Sequence, residues 1–123
     1  MLIPGTSRLE IVWEVARSTA VAIATLTMNL GTAGNGSDAL LYALSLAATS
    51  NLCTLAGPQV YVTTSSIVHK TNYTTVGGSG NAGFGDVTTN INTAADMFVS
   101  ASISGANTGD SFTVVAARIA LIG

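Results

Sequence analysis

The sequence predicts an all-β protein, an antiparallel β-sandwich or jelly roll in a single domain. Three observations carry this expectation. Apolar and polar residues alternate with a period of two in several segments. Short clusters of Gly, Asn and Asp separate those segments. Val, Ile, Thr and Tyr, the residues that suit a pleated surface, dominate the middle of the chain. A length of 123 residues is enough for one hydrophobic core.

The first segment, "RLEIVWEV", places Leu9, Ile11, Trp13 and Val15 on one face and Arg8, Glu10 and Glu14 on the other. That is the pattern of a half-buried strand. In "AVAIATLTMNL", Leu26, Met28 and Leu30 face away from Thr25, Thr27 and Asn29. "GTAGNGS" follows, with Asn35-Gly36 as a turn pair, because both residues tolerate positive φ. "SDALLYALSLAATS" reads in two ways. Ser37 or Asp38 would cap a helix of Ala and Leu, yet Leu40, Tyr42, Leu44 and Leu46 also share one strand face. The surrounding strands and Gly-rich turns favour strand, and a strand is expected within 37–50.

"GPQVYVTTSSIVHKTNYTTV" has strand chemistry, and the glycine-rich "GGSGNAGFGD" is expected to be a loop. "DMFVSASISG" and "DSFTVVAARIALIG" are expected as two strands joined by "ANTG", a connection suited to an antiparallel hairpin. Residues 1–7 form an N-terminal arm and residues 8–123 the sandwich domain.

Composition narrows the function. Only 8% of residues are charged and 48% are hydrophobic, against roughly 25% charged in an ordinary domain. So apolar a chain is not disordered. A net charge of −2 and a pI of about 4.9 leave no basic footprint for nucleic acid. Thr25, Thr27, Asn29 and Arg118 interrupt the apolar segments, which fall short of the roughly 20 apolar residues of a membrane span. The opening "MLIPGTSRLE" has no basic region before an apolar one, so no secretory leader is expected. Cys53 is the one cysteine, which excludes an internal disulfide framework. Exposed edge strands normally carry Lys or Pro against edge-to-edge pairing. The last strand has neither, and Arg118 is its one charge, so neighbouring subunits are expected to cover it.

No catalytic site emerges. His69 is the only histidine, and no nucleophile or orienting acid is singled out for it. No second His or Cys stands at metal-ligand spacing. Glu10 and Glu14 are expected on a solvated face beside Arg8. Asp38, Asp86, Asp96 and Asp110 each adjoin a turn signal, where a carboxylate bonds nearby backbone N–H groups. Gly78 to Gly83 spells a dinucleotide-binding pattern but opens no helix, so its mechanism is missing. Tyr73 and Phe84 are the aromatics expected in or beside loops; Trp13, Tyr42, Tyr61, Phe98 and Phe112 are expected in the core.

Three segments, "IPG" before "RLEI", "LGTAGNGSDALL" and "NINTAADMFVSASISGANTGDSFTVVAARIALI", together resemble small jelly-roll structural proteins of tailed-bacteriophage virions. These in turn are similar to the TNF-like trimeric jelly rolls. The resemblance implies a non-enzymatic homotrimer without cofactor, made in the host bacterial cytoplasm and built into the virion. It implies a capsid decoration or cement protein that contacts the major capsid protein or another virion protein. The alternative is a tail-fibre or spike module that binds the host surface, a glycan among the ligands open to it. It also implies that the terminal strand is central in its sheet. Ile3, Pro4, Tyr73, Gly78, Gly80 and Phe84 are the expected contacts with other virion proteins.

Overall fold

The computed structural model describes residues 2–17, 23–46, 52–71, 74–76, 78–81, 85–92, 94–105 and 111–123. These form ten strands: β1 (Arg8–Arg17), β2 (Ala24–Gly31), β3 (Ala39–Leu46), β4 (Leu52–Val62), β5 (Ile67–Lys70), β6 (Thr74–Val76), β7 (Gly78–Asn81), β8 (Gly85–Thr88), β9 (Phe98–Gly105) and β10 (Phe112–Ile122). One antiparallel sheet runs β10-β1-β4-β5-β8, with β6 beside β4; the other runs β7-β3-β2-β9. The two sheets pack face to face as a β-sandwich.

Alternation positions the core as the sequence predicts. Leu9, Ile11 and Val15 of β1 are buried, as are Leu26, Met28 and Leu30 of β2. Tyr42, Leu44 and Leu46 of β3 and Val60 and Val62 of β4 meet them. Trp13 packs against this cluster from β1. On the outer face, Arg8 and Glu10 form an ion pair at 3.5 Å.

The segment 37–50 is a strand where it is described, with one departure from simple alternation. Met28 pairs Tyr42 while Asn29 pairs Leu40, so Leu41 is an extra residue in a bulge. The bulge turns Leu41 inward, fully buried, and leaves Leu40 at 47% exposure. The expected apolar row of Leu40, Tyr42, Leu44 and Leu46 is therefore led by Leu41.

The preceding loop is built on Asp38. Its carboxylate accepts the amides of Ala33 at 3.0 Å and Gly34 at 2.7 Å, with Asn35 at 3.4 Å. Asn29, buried in β2, donates to the Asp38 carbonyl at 2.9 Å. Gly31 is glycine for this reason: a Cβ there would collide with the Asp38 carboxylate. The residue at positive φ is Gly34, at 71°, rather than Asn35 or Gly36. Asn35 instead accepts the Ser37 amide through its own side chain at 2.8 Å.

Three expectations are corrected. β9 and β10 are not a hairpin: β9 pairs β2 in one sheet and β10 pairs β1 in the other. β10 is an edge strand, not a central one. Local turn chemistry at "ANTG" signals a reversal but does not choose the partner, which long-range burial decides. The glycine-rich stretch is not all loop either, since Gly78–Asn81 pairs with β3.

Candidate functional site

The sandwich has two dissimilar flanks. Where β5 approaches β3, the sheets are laced together. Lys70 points inward and donates from Nζ to the carbonyl of the bulged Leu41 at 2.6 Å. Its ammonium lies 5.2 Å from the centre of the Tyr42 ring. The Tyr42 hydroxyl donates to the Thr71 carbonyl at 3.0 Å. Burial at this position lowers the pKa of Lys70 from its ordinary value of 10.5. The bulge that takes Leu41 out of the ladder thus gives the chain's single lysine its acceptor.

The β9–β10 flank is open. Ile119 and Leu121 pair with Ile11 and Leu9, and so stand on the inner face of their sheet. Leu9 and Ile11 are 5% and 1% exposed, but Ile119 and Leu121 are 42% and 48% exposed. Among the described residues no strand of the opposite sheet covers them, because that sheet ends at β9. A groove of about 450 Å³ separates Ile119 and Leu121 from Met97 and Val99. Leu2, Leu9 and Leu30 also line it, and among the described residues Asp96 is the one charged residue that does. Val114 and Val115 continue the apolar surface along β10, half exposed. Val115 is itself an extra residue, since Glu14 pairs Ala116 and Val15 pairs Val114.

Residues 2–7 are held at this end. Thr6 donates its amide to the Ile3 carbonyl at 3.1 Å, and Gly5 has φ 76°, which makes Ile3–Thr6 a type II turn with Pro4 leading. Gly5 donates its amide to Val62 at 2.7 Å. Leu2 is buried and Ile3 exposed.

Other expected residues fall as follows. Gly78 and Gly80 lie on β7, opposite Leu46 and Leu44; Tyr73, Phe84 and Asp110 are outside the described residues. Asp86 is not a turn residue: it lies in β8 opposite His69, with His69 Nδ1 and Asp86 Oδ1 2.9 Å apart. Tyr61 and Phe98 are not core residues, at 38% and 47% exposure. Among the described residues no three His, Cys, Asp or Glu side chains converge on a point that would hold a metal ion. The His69–Asp86 pair is exposed and, among the described residues, has no nucleophile bonded to it. Comparison with protein-family models, curated proteins and solved structures finds no match for this chain.

Proposed function

We propose that this protein is a non-enzymatic structural subunit that works as a homo-oligomer, with its β9–β10 flank covered by a second copy. The observation that carries this is the exposure of Ile119 and Leu121 at inward-facing positions of their sheet. Apolar surface of this kind, contiguous and nearly free of charge, is stabilised by burial against a like surface. The chain as a whole supports self-association, with ten Lys, Arg, Asp and Glu residues in 123 and little charge repulsion between copies. A closed cyclic assembly buries the flank without open-ended growth.

The nested strand pairing, β1 with β10, β2 with β9, β3 with β7 and β4 with β6, supports the jelly-roll reading. The resemblance to phage virion proteins implies three copies and a role in decorating and cementing a capsid, where several weak contacts per trimer hold by multivalency. Native mass spectrometry of the full chain tests this. A species of three copies of the 12.3 kDa chain is expected; a lone protomer at micromolar concentration overturns it.

A further inference from the structure

The geometry points to a saccharide-binding face on the outer side of the β10-β1-β4-β5-β8 sheet, a function beyond the structural role proposed above. Arg8, Tyr61, His69 and Asp86 are successive cross-strand partners. They form one straight row over four strands, on the face opposite the apolar groove. Val60, Val62 and Val68, which alternate with Tyr61 and His69, are fully buried, so this row points outward. Gln59 and Glu10 are cross-strand partners one step along the same face.

The row has the parts that recognise a sugar. Tyr61 offers a half-exposed ring for the apolar face of a pyranose. Its hydroxyl donates to Gln59 Oε1 at 2.5 Å, which fixes the ring's orientation before any ligand arrives. The His69–Asp86 contact likewise fixes the imidazole and the carboxylate. Gln59 Nε2, His69 Nε2 and Asp86 Oδ2 have no partner among the described residues and remain for ligand hydroxyls. Tyr61 also lines a depression of about 280 Å³ together with Thr6 and Thr63. Strands lie about 4.8 Å apart, so Tyr61 to Asp86 spans roughly 10 Å, the length of a disaccharide.

Charge decides the ligand class. Three carboxylates, Glu10, Glu14 and Asp86, share this outer face with two guanidinium groups, Arg8 and Arg118, and Arg8 is already paired with Glu10. With no net positive charge the face disfavours phosphate, sulfate and acidic sugars. A neutral oligosaccharide fits it.

The test is a titration of the ¹⁵N-labelled full chain with cellobiose, maltose and N,N′-diacetylchitobiose, followed by amide and His69 side-chain shifts. At least one sugar is expected to move resonances of residues 59–63, 69 and 86 together, in a saturable way. Tyr61→Ala is expected to weaken that binding at least about tenfold, while Tyr61→Phe, which keeps the ring, retains most of it. If no neutral sugar moves these resonances up to about 20 mM, roughly the weakest affinity a stacked ring supports, the inference is overturned. It is overturned equally if Tyr61→Ala, folded by circular dichroism, binds like the parent. Neither outcome touches the oligomeric state, which rests on the other face of the sheet.

Discussion

The Ser7 hydroxyl donates to the carbonyl of Gly123 across 2.9 Å. The same oxygen accepts the amide of Ile3 at 2.8 Å, and Ser7 is buried. One side chain therefore ties the turn before β1 to the end of β10. Ser7→Ala leaves both backbone groups without this partner, and a loss of about 1–3 kcal/mol is expected in urea unfolding. The end of β10 beside the groove should also fray, seen as faster exchange of the Leu121 and Ile122 amides.

Gly31 and Asp38 are coupled by space. A Cβ at position 31 displaces the carboxylate that gathers the 33–35 amides. Gly31→Ala is expected to cost about 1–3 kcal/mol. In an Asp38→Ala background the same substitution should cost clearly less, because the group it collides with is gone. A double-mutant cycle by urea denaturation measures the difference.

Lys70 gives stability a pH dependence of known sign. Burial lowers its folded-state pKa below 10.5, so on raising the pH the native state sheds the proton before the unfolded chain does. The unfolded state then binds more protons, and stability rises with pH between the lowered value and the unfolded value of about 10.4. Below both values the desolvated charge is carried in full and this gain is absent. Unfolding of wild type and Lys70→Met, compared as the pH rises toward the ordinary lysine value, should show wild type gaining relative to the variant. A flat difference means that the ammonium is not desolvated. Lys70→Met also leaves the Leu41 carbonyl without its donor, at a cost of about 1–2 kcal/mol near neutral pH.

The flank responds to charge. Ile119→Lys places an ammonium beside the groove at an unpaired strand edge, which opposes both burial and edge pairing. The variant is expected to run as a folded monomer, with its strand signature by circular dichroism intact, because Ile119 contributes little to the core of its own protomer.

Much of this architecture is legible in the sequence, and what is hidden has a common cause. Alternation in "RLEIVWEV" and "ATLTMNL" reports two half-buried strands directly, whereas Tyr61, expected in the core as an aromatic, stands outside, because side-chain type alone does not say which face of a strand it occupies. The Leu41 bulge is not legible, since one extra residue changes no local preference. Nor are the β7 pairing, made by a segment with almost no side chains, and the His69–Asp86 contact, which spans 17 positions and follows no spacing rule. The β9–β10 hairpin is expected from a turn signal within a few residues. The real partners, β2 and β1, lie 67 to 114 positions away (Gly31 to Phe98, Arg8 to Ile122). Periodicity reads which face is buried; it does not read against what.

Amide hydrogen exchange along β10 addresses the covered flank most directly. At a concentration where light scattering shows an assembled species, the edge amides of Phe112–Ile122 should be protected, and dilution or Ile119→Lys should release them. Fast exchange along this edge in a species that remains assembled would mean that the copies meet through some other surface, and that the open flank is not their interface.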